Sequence, residues 1–209
     1  MSLIVVLGAY GATGQAVVKQ ARAAGHAVRL GVRRYRDGAE AGEVVTDLLG
    51  GTGLGPACDG ADAVINCAGV GNDPVTLSDP PPLYSEGASN IVEAAGAAGV
   101  PRAVFISALW SRENLAGPLS FRLSAVMALT RVYADMRRME DVLSAQSAVE
   151  AIAVRAGRLG SSPGTPHEAF PARPPAGWWQ TDRDALAGFL LRCALEGSPA
   201  GSHPAFVHG

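Results

Sequence analysis

Residues 4–14 read Ile-Val-Val-Leu-Gly-Ala-Tyr-Gly-Ala-Thr-Gly, an apolar β-branched run that breaks into Gly8, Gly11 and Gly14 before a helical stretch at 15–24. This is a strand, a glycine turn and a helix start, in the order a dinucleotide needs. The glycines have separate jobs. Gly8 permits the tight turn off the strand, Gly11 lets a pyrophosphate approach bare backbone, and Gly14 lets the helix pack close to the sheet. Unpaired N–H groups in the first helical turn then face the negative charge. The candidate cofactor cradle is therefore Gly8, Tyr10, Gly11, Ala12, Thr13 and Gly14.

Further apolar runs at 27–32, 43–45, 63–67, 103–107 and 151–155 alternate with Ala-rich helical stretches at 86–98 and 125–147. Alternating β and α elements predict a parallel sheet covered on both faces. The runs at 63–67 and 103–107 carry little polar alternation, which predicts central strands. Gly99 followed by Val100-Pro101 marks a helix stop, and Ser85-Glu86 is compatible with an N-cap. Residues 161–177 hold five prolines among Ser, Gly and Thr and predict a long irregular connection. Residues 182–195 predict an amphipathic helix with an acidic start, and 204–207 a short closing strand at an edge. The expected fold is one Rossmann-like α/β domain, a doubly wound parallel sheet with a small C-terminal substrate region.

Composition narrows the function. A chain of 209 residues with 48% hydrophobic content buries one sizeable core. The formal charge of −2 gives no global basic field, so nucleic acid is not an expected partner. No run reaches membrane-spanning length and no secretion signal opens the sequence, so a cytoplasmic protein without membrane contact is expected. Cys58, Cys67 and Cys193 are odd in number and lack C-x-x-C spacing, so neither a disulfide framework nor a metal site is expected. Lys19 is the sole lysine among 17 basic residues.

In this fold the residue ending the second strand discriminates between cofactors: a carboxylate binds the ribose 2′-OH, whereas arginine accepts a 2′-phosphate. Here Leu30-Gly31-Val32 runs into Arg33-Arg34-Tyr35-Arg36, and fork-shaped guanidinium donors point to NADP(H). Asp37 falls late to serve as the ribose acid. Asp47-Leu48 after the third strand is compatible with facing the adenine or with a helix N-cap. Asn66-Cys67-Ala68-Gly69 ends the fourth strand at the carboxyl edge. Cys67, Ala68 and Gly69 there either let the backbone close over the cofactor ribose or simply end the strand.

Several segments in order resemble the atypical short-chain dehydrogenase/reductase superfamily, in its NmrA-like, NAD(P)H-binding branch. They are the Gly8–Gly14 turn, Arg33, Asp47-Leu48, Gly71-Asn72-Asp73, Tyr84 to Val92, the Ser107 strand with Trp110, and Phe189 to Cys193. More narrowly, the chain is similar to the biliverdin-IXβ reductase/flavin reductase group. The resemblance implies a Rossmann-like monomer, or weak homodimer, that binds NADPH and reduces flavins or linear tetrapyrroles. The superfamily's usual Tyr-x-x-x-Lys becomes Tyr133-Ala-Asp-Met-Arg137, where arginine replaces a compact ammonium. Ser107 matches the group's strand-end serine, while Arg158 stands where the group has a histidine. Arg158 cannot donate a proton at neutral pH, yet it can hold a carboxylate or phosphate. His167, in the proline-rich segment, is a candidate substitute donor.

The catalytic candidates are thus Ser107, Tyr133 and Arg137; the substrate candidates are Trp110, Arg122 and Arg158. Trp110, Arg112, Phe121 and Arg122 suit an apolar wall with anion contacts or plain surface packing, and Trp178-Trp179 reads better as a loop anchor than as a ligand contact. The expected activity is NADPH-dependent reduction of a small-molecule acceptor, a planar conjugated flavin, bilin or quinone. The alternative is a non-enzymatic NADP(H)-sensing module of the NmrA-like kind, and an epimerase is the weakest option.

Overall fold

The computed structural model describes residues 1–35, 38–71, 73–112, 116–123, 128–171 and 173–208. Arg36, Asp37 and Asn72, singled out above, lie outside them, as do residues 124–127 at the expected start of the long helix.

The alternation of apolar runs and Ala-rich segments builds the layers in sequence order. They begin with β1 (Leu3–Leu7), α1 (Ala12–Ala23), β2 (Ala27–Val32), β3 (Glu43–Val45), α2 (Leu54–Cys58) and β4 (Ala63–Asn66). Then come α3 (Pro74–Ser78), α4 (Ser85–Ala97), β5 (Arg102–Ala108), a 3-10 turn (Leu109–Ser111), α5 (Leu119–Phe121) and α6 (Thr130–Ala145). The chain continues through β6 (Glu150–Ala156), β7 (Arg158–Gly160), β8 (Glu168–Phe170), β9 (Gln180–Asp182), α7 (Arg183–Glu196) and β10 (Ala205–Val207).

Eight strands form the sheet β3-β2-β1-β4-β5-β6-β10-β8, and only β8 runs antiparallel to its neighbour. A separate parallel pair joins β7 to β9. Side chains alternate across the strands, so the two faces carry separate cores. Val5, Leu7, Val64 and Phe105 face α2, α4 and α6. Ile4, Val6, Ile65 and Val154 face α1 and α7, where Leu186 and Leu190 are fully buried. Each such leucine contributes about 1.5–3 kcal/mol.

Three expectations are corrected. The 161–177 segment is not wholly irregular, because Glu168–Phe170 forms β8. The final strand β10 is not an edge, since β8 lies beyond it. Ser85 does not cap α4 with its own side chain; the preceding residue is Tyr84, and Asp135 of α6 accepts from the Tyr84 N–H at 2.9 Å and the Ser85 N–H at 3.4 Å. A buried carboxylate thus supplies from another helix what a local side chain would have supplied.

Candidate functional site

The strand order reverses at β1, which pairs with β2 on one side and β4 on the other. Ligands of open α/β sheets sit in the crevice at such a reversal, beyond the strands' carboxyl ends. Register aligns Leu7 with Gly31 and with Asn66, so Gly8, Val32 and Cys67 share this edge. Further along it, Ser107 of β5 pairs with Arg155 of β6.

The glycine turn is fixed by contact. Gly8 has φ of 71°, which only glycine adopts without strain, and a Cβ there would lie 2.7 Å from the Ala68 nitrogen. A Cβ on Gly14 would collide with the Gly8 carbonyl oxygen. Gly11 closes the turn by donating to that same oxygen at 2.9 Å. Helix α1 begins at Ala12 with no side-chain cap, and Gly11 and Ala12 are exposed. That is the cradle an anion fits: exposed backbone with a positive helix end behind it. Thr13 is buried under the turn, and the Tyr10 hydroxyl donates to Glu43 of β3.

Arg33 and Arg34 follow β2 directly and are exposed. Asp47 does not cap a helix, because α2 starts at Leu54 after Gly53. Its carboxylate instead accepts from the Leu49 N–H at 3.0 Å and closes the 47–50 turn. Leu48 is buried, and its carbonyl accepts from Asn90 at 2.8 Å. At the end of β4 the Asn66 side chain accepts from the Ala68 N–H at 3.1 Å, bending the chain toward Gly69. Burial pushes the Cys67 thiol up to about 12, so it is no nucleophile at neutral pH.

The catalytic candidates do not assemble as a proton-transfer unit. Burial raises the Tyr133 phenol above its usual value, with the Tyr84 phenol adding to the effect. Arg137 instead donates its Nε–H to the Ser111 carbonyl at 2.6 Å. Ser107 is buried and donates to Glu140 of α6 at 2.7 Å. That carboxylate also accepts from Ser111 at 2.8 Å, from Arg112 at 3.0 Å, and from Arg155 at 3.0 and 2.8 Å. Burial works against ionisation of Glu140, yet the hydrogen bonds from Arg155 and Ser107 bring its carboxyl down to about 2. Glu140 was not among the sequence candidates; its place among Val132, Tyr133, Met136, Met139 and Leu143 on the buried stripe of α6 marks a carboxylate that needs partners, without saying which.

Beyond β5 a cavity of about 520 Å³ opens between Leu109, residues 116–118 and residues 173–179. Trp110 lies behind it, buried, with its indole N–H on the Ala116 carbonyl at 3.1 Å and its ring 5.3 Å from Phe121. Trp179 packs 4.9 Å from Phe121, and the Arg158 guanidinium sits 5.5 Å over its ring. Trp178 meets Phe170 of β8 edge-on. The paired tryptophans therefore anchor the loop and line the cavity at once. Arg158 also donates to Gln180 at 2.9 Å, and the Arg122 N–H bonds Pro118. His167 is no free donor. Its Nδ1 bonds the Thr165 carbonyl and its Nε2 accepts from the Asp182 N–H, both at 2.8 Å.

A parallel sheet that reverses at β1, with an uncapped glycine-led helix at the reversal, defines a Rossmann-like dinucleotide-binding protein. The chain belongs to the NAD(P)H-binding family, whose sequence model matches residues 8–196. Among curated protein sequences none matches. Solved structures share the fold. A protein from Streptococcus pneumoniae described as a candidate NADH-flavin reductase superposes with a TM-score of 0.75 at 20% identity, covering 100% of both chains. A wide-type short-chain dehydrogenase/reductase from Veillonella parvula, in complex with NADP, gives 0.78 at 16% identity, covering 99% of this chain and 94% of that one. A candidate NAD-dependent epimerase/dehydratase from Bacillus halodurans gives 0.76 at 20%, covering 100% and 95%. Among the described residues no helix is long and apolar enough to cross a membrane, and no cluster of metal-ligating side chains occurs.

Proposed function

We propose that this protein is an NADPH-dependent reductase that passes hydride to a planar conjugated acceptor such as a flavin, a bilin or a quinone. The observation that carries this reading is a shared edge. The glycine turn and Arg33 sit where the sheet order reverses, and an aromatic-walled cavity opens just past β5 on the same side. Gly8, Gly11 and Ala12 hold the pyrophosphate, Arg33 and Arg34 take the 2′-phosphate, and Ala68 and Gly69 flank the nicotinamide ribose. The cofactor supplies the hydride. Residues of this chain contribute position and exclusion of water, which together lower a barrier without a side-chain acid. The acceptor's proton comes from solvent, in keeping with the Tyr133, Arg137 and His167 geometries.

Those same three geometries favour a second reading, a sensor in which NADP(H) shifts affinity for another protein and no hydride moves. NADPH oxidation in the presence of FMN, riboflavin, biliverdin and simple quinones, run beside fluorescence binding of NADPH, separates the two. Turnover of at least one acceptor is expected. Tight NADPH binding with no turnover of any of them would sink the reductase reading and leave the sensor.

A further inference from the structure

Beyond Asn66 the chain leaves the sheet as Cys67-Ala68-Gly69-Val70, and the two residues at the bend, Ala68 and Gly69, have no side chain long enough to brace it. Asn66 fixes the first step by accepting from the Ala68 N–H at 3.1 Å. The next step is held from behind by Tyr84. Gly69 is exposed, whereas Tyr84 beneath it is only 8% exposed. A Cβ built on Gly69 would lie 3.1 Å from the Tyr84 hydroxyl oxygen, so the phenol fills the space under the turn. Burial pushes the Tyr84 phenol up, and hydrogen bonding from the Val70 N–H works against that rise. Tyr84 is fixed in its turn. Its own N–H donates at 2.9 Å to the buried Asp135 of α6, a carboxylate that also accepts from the Ser85 hydroxyl at 2.5 Å and from Arg138 at 3.1 Å.

We propose that Tyr84 is a positioning residue for the cofactor, its buried hydroxyl setting the Gly69–Val70 backbone on which the nicotinamide ribose rests. This role depends on that ribose lying against Ala68 and Gly69, as the proposed function places it, and not on whether hydride moves. A turn set in advance needs no further ordering when the ligand arrives. A loose one lowers the apparent affinity by the fraction of time it spends in the competent shape. The effect is confined to the nicotinamide half, because Arg33 and Arg34 follow β2, on the far side of β1 from β4.

Tyr84→Phe keeps the ring and removes the hydroxyl. Calorimetry on the full chain measures dissociation constants for NADPH and for adenosine 2′,5′-bisphosphate, which lacks the nicotinamide half. Tyr84→Phe is expected to weaken NADPH about fivefold or more and to leave the bisphosphate within about twofold. Gly69→Ala, whose Cβ presses on the hydroxyl, is expected to weaken NADPH in the wild-type background and to do so less when Tyr84 is Phe. Unchanged NADPH affinity in Tyr84→Phe, equal weakening of both ligands, or losses that simply multiply in the double variant would overturn the proposal. A wild type that binds NADPH but turns over no acceptor would instead count against the reductase reading alone.

Discussion

Ser107 gives its hydroxyl proton to Glu140 at 2.7 Å, across the gap between the end of β5 and helix α6. An ionised carboxylate can only accept, so Ser107 turns lone pairs, and no proton, toward the rest of the edge. On the proposed reductase reading, Ser107 therefore holds Glu140 and donates no proton to the acceptor. Ser107→Ala is expected to lower stability by about 1.5–3 kcal/mol, as for a hydrogen bond to a charged group. Its reductase pH–rate profile is expected to keep the wild-type shape. Loss of one limb of that profile would reinstate Ser107 as a proton donor.

Glu140 and Arg155 make a buried pair, with the carboxylate fully shielded and the guanidinium largely so. Removing one partner strands the other charge. Arg155→Met is expected to cost about 3–5 kcal/mol in denaturant unfolding. Because Glu140 is held near 2 against an ordinary value of 4.5, its stabilisation is full above 4.5 and fades as the pH falls toward 2. A wild-type melting temperature flat across that window would contradict this.

Gly14 touches the Gly8 carbonyl so closely that no Cβ fits. Gly14→Ala is expected to push α1 off the turn and weaken NADPH at least about tenfold, while Gly60→Ala, whose added Cβ meets open space, leaves cofactor affinity unchanged and costs about 1–2 kcal/mol for its positive φ. Equilibrium titration by nicotinamide fluorescence reads both.

His167 ties residues 161–170 to the start of α7. The link is reciprocal: Asp182 donates its N–H to the imidazole and accepts from the Ser162 N–H at 2.7 Å. Burial depresses the His167 pKa, with His208 beside it adding to the effect. The unfolded chain therefore takes up a proton that the native imidazole refuses. Stability from this link is full above about pH 6.5 and is lost as the pH falls below it. His167→Gln is expected to flatten the melting temperature between about pH 7 and pH 5, which differential scanning calorimetry measures. An unchanged slope would place the titrating group elsewhere.

The parts legible in the sequence are those written locally. Gly8, Gly11 and Gly14 follow a β-branched run and precede a helix, so strand, turn and helix all announce themselves within one segment. The buried runs of β4 and β5 are equally plain. Glu140 was not legible as a site, because its partners come from β5, the 3-10 turn and β6, and only the packed sheet brings Ser107, Arg112 and Arg155 to one carboxylate. Strand β8 is three residues in a proline-rich stretch, and it exists because β10 offers it an edge. The Tyr133 and Arg137 spacing suggested a pair that burial and the Ser111 carbonyl dissolve.

The choice of cofactor is what the proposed function depends on most, and Arg33 tests it most directly. Dissociation constants for NADPH and NADH, measured for the wild type and for Arg33→Ala, should show NADPH bound about tenfold tighter or more by the wild type, with the preference gone in the variant. Equal affinity of the wild type for both cofactors, or equal loss of both in Arg33→Ala, would contradict the assignment of this edge to NADP(H).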